Sequence, residues 1–542
     1  MFHALPPQRL RHQHYHPRQH QGLRPEFKPC APLLGHLASR SIVVLLLTCC
    51  LTSSHAQAPP VADPPIPIPI AQDGASTTYM DAIEAHMDYV TEHSYDQIGP
   101  RSTPMWLSTI DLRSNGLPTP LMPRSPRWNG ICISAPGANL YWDQPTILAA
   151  YELSKRTGCK CYSDAASAYI SSFFAACTTS KTASCMDPRF YYNVKLERPI
   201  DNTGKLYICI PFTPAWETSW TVDKKLARHQ VEAFIHSRLA DASSNRAVHN
   251  SQSDATDAPD VDIESEAALF ASLCWLAHQD THQSKTLIKQ ALSLAQRRLG
   301  YRDHKTGLVP TKRSLHTGGK DISSIGIGAW ANVLFRAAEV TGEMEFQTIA
   351  KQTLRAWLTV GYDTQQQGYY HQLECESGRP VEKVIQENHS KNPSTSRHQR
   401  TNIFDHVHRP AYQSPLRMAE ACLSLHEATG DPFSKQAAER WINMIKQQLT
   451  TDDSRVSYAD DYGRIIHFLV RAAEVLKTPE HRLLARDIAK KAMEKLYVPK
   501  MGMFRSHLEE NRCDSADGPG LLLLALMYLE GSDPTLESSL QF

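Results

Sequence analysis

From Thr78 onward, apolar residues recur along most of the chain at the spacing of an α-helix. Ala485, Ile488, Ala489, Ala492 and Leu496 fall at i, i+3, i+4, i+7 and i+11, one apolar stripe that a neighbouring helix must cover. Four stretches share the plan helix, tight turn, helix: "LAAYELSKRTGCKCYSDAASAYISSFF", "LFRAAEVTGEMEFQTIAKQTLRAWL", "ACLSLHEATGDPFSKQAAERWINMI" and "LVRAAEVLKTPEHRLLARDIAKKAMEKL". In three of them Thr-Gly ends the first helix, at Gly158, Gly342 and Gly430, and in the fourth Pro479 is the breaker. Further helical patterns over about 78–93, 222–239, 264–279, 283–299 and 517–530 bring the total to about six hairpins, with room for a seventh.

Each hairpin exposes an apolar face that only adjacent hairpins can cover, and a closed ring leaves no end bare. The pattern therefore predicts an all-α fold, an (α/α)6 toroid over residues 78–535 whose inner helix ends surround a funnel. The segments "GYRDHKTGLVP" (300–310), "GYDTQQQGYYH" (361–371) and "LYVPKMGMFRS" (496–506) predict short β-hairpins or turns on one rim. Two polar stretches, 240–262 and 386–402, interrupt the periodicity and read as loops over a rim.

The N-terminus follows another pattern. Residues 1–40 are rich in His, Arg, Pro and Gln, and "SIVVLLLTCCL" at 41–51 is an apolar run followed by "TSSHAQA". The run is about half the ~20 residues a spanning helix needs, and Ser54 and Ala56 suit a cleavage site. Residues 1–56 are therefore expected to be a signal peptide, 57–77 a Pro-rich linker, and the mature protein periplasmic or extracellular, without a membrane segment. Six Lys and Arg against one Glu in residues 1–56, in a chain of net charge +1, leave the remainder at −4. That balance gives no reason to expect a nucleic-acid partner. Of 13 cysteines, ten follow the cleavage site. The Cys159, Cys161, Cys177 and Cys185 spacing does not match a structural zinc site, so buried thiols or one or two bridges are expected.

Chemistry-bearing residues gather before the inner helices, in segments that a toroid can bring to one mouth. Trp106, Tyr141, Trp142, Trp216, Trp220 and Tyr412 offer flat faces on which sugar rings pack. Carboxylates recur there too: Asp143, Glu217, Asp405, Asp460, Asp461, Asp514 and Asp517, several of them in positions where an Asp caps a helix. In "NLYWDQPT" the adjacency suggests that Asp143 or Gln144 caps the inner helix while Tyr141 and Trp142 face the funnel. His406 and His408 are a weak metal signal at i, i+2. The chain has no Walker or dinucleotide glycine motif, no H-E-x-x-H and no G-x-S-x-G.

The motifs "APGANLYWDQPT", "TPAWE", "KTGLVP", "YGRIIHFLVRAAEV" and "GMFRSH" give the chain, from about Gly99 to Leu529, a resemblance to a bacterial family of exported helical toroids. That family lies within the six-hairpin glycosidase-like group and has pectate-lyase-type members. The resemblance implies a uronate-containing poly- or oligosaccharide as partner and β-elimination as the reaction. It points to Arg246 as base and to Glu217 as a metal ligand. Arg189 stands where a His is usual in the family, and "NRA" at 245–247 where Asn-Arg-His is expected. A divalent cation would then have Glu217 and His249 as its remaining ligands, an incomplete set. Arg189 would serve as a fixed cation, and Tyr192, His406, Tyr462, Arg464 and Asp517 would join the tryptophans around substrate. Three alternatives accompany this reading: a hydrolase pairing Glu217 with Asp143 or Asp461, a carbohydrate-binding toroid without turnover, and a sugar epimerase.

Overall fold

Two kinds of helix alternate along the chain. The computed structural model describes residues 77–98, 100–114, 137–177, 184–201, 213–248, 262–313, 320–365, 367–383, 397–398, 414–451 and 458–531. Among these lie fourteen helices: α1 (Tyr79–His93), α2 (Gln144–Thr157), α3 (Cys161–Cys177), α4 (Trp216–Val222), α5 (Lys224–Val248), α6 (Ile263–Gln279), α7 (Ser284–Gly300), α8 (Ser324–Thr341), α9 (Met344–Val360), α10 (Leu416–Thr429), α11 (Pro432–Thr451), α12 (Ala459–Val475), α13 (Glu480–Leu496) and α14 (Pro519–Glu530). The even-numbered helices are the inner set. Helix α12 is buried from Ala459 to Ala473, whereas α13 buries one stripe, Ala485, Ile488, Ala489, Ala492 and Leu496 together with His481. One apolar face suffices for a helix with water on its other side; a helix walled in all round must be small or apolar throughout, as "PGLLLLALMYLE" of α14 is.

The inner helices follow one another round a ring: α6 packs on α8, α8 on α10, α10 on α12, α12 on α14, and α14 on α2. Helix α4 fills the position between α2 and α6, its first turn tied to both. The Ala215 amide donates to Gln144 Oε1, and Trp216 Nε1 donates to Ser272 Oγ at 3.0 Å. Helices α3, α5, α7, α9, α11 and α13 pack outside, and α1 completes the outer layer against α14. Among the described residues the (α/α) toroid is therefore built of seven pairs, the last made of α1 and α14. The described ends are also joined by strands, Thr109–Asp111 pairing with Arg512–Asp514.

The turns follow the sequence pattern. Gly158 and Gly430 cap α2 and α10 in the left-handed conformation, with φ of 74° and 66°. The segments 361–371 and 496–506 form two-stranded hairpins, Tyr362–Asp363 with Gly368–Tyr369 and Tyr497–Val498 with Met503–Phe504. The third, 300–310, is a turn in which the Asp303 amide donates to the Leu308 carbonyl. Among the described residues no helix is long and apolar enough to cross a membrane. The apolar run at 41–51 lies outside them.

Candidate functional site

A cavity of about 260 Å³ opens beside the seven-residue α4. Asp223 keeps α4 short: it ends that helix, and its carboxylate accepts from the Leu226 amide at 2.9 Å to start the next. The cavity is lined by Thr213, Pro214, Trp216 and Glu217 at the start of α4, by the second half of α6 and by the second half of α8. Trp216 is fully buried and fixed by its bond to Ser272 and by edge contact with Phe234 at 5.7 Å. Trp275 meets Trp216 at 6.4 Å and stands edge-on to Trp220 at 5.3 Å. The polar groups on the wall are Glu217, His278, Gln279, Asn332 and Arg336, so Glu217 is the one carboxylate among the lining residues. Cys274 also lines the cavity, and burial pushes its thiol well above the ordinary range, which keeps it a neutral wall group.

Behind Asn332 runs a buried polar chain. The Asn332 amide donates to the Arg417 carbonyl at 3.0 Å, and its oxygen accepts from Ser424 Oγ at 3.2 Å. Ser424 accepts from Arg471, which also bonds Glu420 at 2.8 Å and Glu427 at 2.8 Å. His467 Nδ1 lies 3.0 Å from the other Glu420 oxygen. Burial pushes the Glu420 carboxyl up, but His467 and Arg471 outweigh it and hold it at about 2.

Asp143 is placed in the wall and does not cap the helix that follows it. Its Oδ2 accepts from Ser108 Oγ at 2.9 Å, the Asn139 amide at 3.1 Å and Tyr169 Oη at 2.6 Å. Tyr169 belongs to the outer helix α3, so the carboxylate points between the layers. It borders a water-sized void of about 20 Å³ shared with His86, too small for a sugar and distinct from the cavity that Glu217 lines. This corrects two expectations, the cap and the Glu217–Asp143 pair. Gln144 does not cap either: its amide donates to the Tyr141 carbonyl at 2.7 Å and its oxygen accepts from Ala215.

Burial raises Asp143 to about 6 against the hydrogen bonds of Ser515, Tyr169, Ser108 and Asn139, and lowers His86 to about 4. The two act oppositely on stability. The Asp143 contribution is fully present below its ordinary 3.8 and is lost as pH rises through about 6; that of His86 is present above 6.5 and is lost as pH falls through about 4. Each is on the order of 3 kcal/mol, so they nearly cancel between pH 4 and 6.5. Asp143→Asn should unmask the His86 contribution, giving an unfolding free energy that climbs with pH across that window more steeply than in the parent. Urea melts at several pH values measure it, and parallel curves would refute it.

The other expected site residues are distributed as follows. Trp106 is buried with one face stacked on Tyr169 at 5.3 Å, which makes it a core ring and not a sugar platform. Tyr141 and Trp142 are buried edge to face at 5.2 Å, and neither lines the cavity. Arg189 grips Asp187 with two bonds of 2.8 Å, alongside Arg238 on the same carboxylate, which holds it in the wall. Tyr192 sits in the strand Phe190–Asn193 opposite Ala138. Asp517 is fully buried and accepts from Arg512 at 2.9 Å. Asp461, Tyr462 and Arg464 are buried in the first turns of α12 and do not line the cavity. Arg246 lies on α5, but its side chain, like His249, Asp405, His406, His408 and Tyr412, is outside the described residues. Among the described residues no three His, Cys, Asp or Glu side chains come together to hold a metal ion. The described donors around Glu217 do not form a metal centre, and His249, the second expected ligand, lies outside the described residues. Trp275, His278, Asn332 and Arg336 had not been singled out from the sequence.

No protein-family model matches the chain, and no curated protein matches it. Similar solved structures include an inactive variant of the alpha-1,6-mannanase GH76A of Salegentibacter sp. HEL1_6 in complex with alpha-1,6-mannotriose, at 11% identity and a TM-score of 0.43, covering 83% of this chain and 99% of that one. D-mannose isomerase matches at 9% identity and a TM-score of 0.43 over 84% of this chain and 97% of that one. An unsaturated glucuronyl hydrolase specific for heparin matches at 13% identity and a TM-score of 0.43 over 83% and 96%.

Proposed function

We propose that the chain is a carbohydrate-active protein that takes the end of an acidic saccharide into the cavity between α4, α6 and α8 and cleaves it by β-elimination. The observation that carries this reading is the cavity lining, which combines the half-buried Trp275 indole, backed by the buried Trp216, with one carboxylate, one imidazole and one guanidinium. Indole faces suit the apolar C–H face of a sugar ring, and Arg336 suits a uronate carboxylate. Its volume lies just under the roughly 300–1,000 Å³ of ordinary ligand pockets, which favours one or two sugar rings over a long chain segment.

β-Elimination removes the proton α to the uronate carboxylate, breaks the C4–O bond, forms a C4–C5 double bond and returns a proton to the departing oxygen. Glu217 is assigned as the base, Arg336 as the cation that stabilises charge developing on the carboxylate, and His278 as the donor to the leaving oxygen. Hydrolysis needs two carboxyl groups across the bond, and among the described residues the lining supplies one. Incubation with polygalacturonate and with alginate, following unsaturated-uronate absorbance and reducing ends separately, tests the assignment. Both signals should rise together, and Glu217→Gln should lower the rate by about 10²–10⁴-fold with saccharide binding retained. Reducing ends without absorbance would make the protein a hydrolase.

A further inference from the structure

The turn between α2 and α3 carries a disulfide, Cys159–Cys161, with a single residue between its cysteines. Both cysteines and the intervening Lys160 are exposed. Every other cysteine among the described residues, Cys177, Cys185, Cys274, Cys375, Cys422 and Cys513, is a buried free thiol.

A structural role for this bridge has little to act on. Closing a loop across one residue removes little chain entropy, because the effect grows with loop length. The turn is also fixed without it. The Gly158 amide donates to the Ser154 carbonyl at 2.9 Å, the Ser163 amide to Ser154 Oγ at 2.8 Å and the Asp164 amide to the Lys160 carbonyl at 2.8 Å. Farther along α3, Tyr162 Oη holds Asp88 of α1 at 2.7 Å.

For exchange chemistry the placement is favourable. Cys161 is the first residue of α3, a 17-residue helix, so a thiolate formed there meets the positive end of the helix and the adjacent Lys160 ammonium. Asp164 in the first turn acts against this, and the Lys160 charge offsets it. A leaving sulfur at the start of a helix beside a lysine and an open approach to Cys159 are the two conditions that favour attack by an external thiolate.

We propose that Cys159–Cys161 is an exchangeable disulfide that reacts with low-molecular-weight thiols, a modification site separate from the saccharide cavity. The external thiolate attacks Cys159 Sγ, the S–S bond breaks, and the electron pair leaves on Cys161 Sγ, which takes a proton from water. A second thiol attacks the mixed disulfide, so that two thiols become one disulfide and the protein gains two thiols.

The test uses the full chain in millimolar reduced and oxidised glutathione, quenched by acid, alkylated and read by peptide mass spectrometry. The pair should be reduced by glutathione while the six buried cysteines stay unmodified, and the melting temperature should not move between the two forms. A Cys161→Ser variant should accumulate glutathione on Cys159 at least about tenfold faster than any buried cysteine acquires it. Three results would overturn the proposal: a bridge that resists glutathione, a melting temperature that falls on reduction, or glutathione found on the buried cysteines first.

Discussion

Replacing Gly463 with valine is expected to cost about 3 kcal/mol or more and to broaden or abolish cooperative unfolding. In an ordinary helix interior the loss of a glycine is favourable by about 1 kcal/mol, so the sign here comes from packing. A β-carbon at Gly463 would lie 2.8 Å from the Leu521 carbonyl carbon and the Leu522 amide nitrogen, both main-chain atoms of α14 that no rotamer change can move aside. Helices α12 and α14 would have to separate, opening the ring beside the seam where its two ends meet. Gly300, the last residue of α7, has nothing within 4 Å of the same position. Gly300→Ala should accordingly be neutral or slightly stabilising in the same urea melts. Equal effects at the two sites would remove close inner-helix contact as the reason for glycine at 463.

Arg471→Met is expected to destabilise by about 1.5–3 kcal/mol, because the buried Glu420 loses its charged hydrogen-bond donor and keeps His467 at 3.0 Å as its remaining partner. Arg471 is 2% exposed and Glu420 8%, and the exposed Glu427 would lose its anchor as well. The acid limb of the stability curve supplies a second readout. Because Glu420 is held at about 2 against an ordinary 4.5, its contribution is present above pH 4.5 and is lost as pH falls through about 2. In Arg471→Met that dependence should shrink, whereas a variant that merely loosens packing would lower the whole curve evenly. Glu420→Gln in the Arg471→Met background should cost less than the sum of the two single changes, since the residues share one network.

The helices were readable because their signals are local. Thr-Gly endings fix a helix stop by backbone conformation alone, and the stripe of α13 is buried where the spacing placed it. The seventh pair was harder to see. "WETSWTV" is two turns long, too short to show a period, and the remaining pair joins helices at opposite ends of the chain. Orientation within "NLYWDQPT" was not readable at all. Successive residues at a helix start point about 100° apart, so adjacency of Tyr141, Trp142 and Asp143 does not say which faces inward; Ser108, 35 positions earlier, and Tyr169 on the outer layer decide it for Asp143. The cavity was overlooked for a related reason. Trp275 and His278, or Asn332 and Arg336, stand at i, i+3 and i, i+4 within long helices and look like the polar face of any amphipathic helix. Only the packing of α4, α6 and α8 turns that face toward a cavity.

The central claim is that saccharide binds in the cavity walled by α4, α6 and α8, and filling that cavity tests it most directly. Ala271 lines it and is not fully buried, so Ala271→Trp can occupy the space from one wall. Calorimetric titration with trigalacturonate, on protein whose thermal melt matches the parent, should show binding weakened by about 100-fold or lost. Unchanged affinity in a folded Ala271→Trp protein would place the saccharide elsewhere and contradict the account.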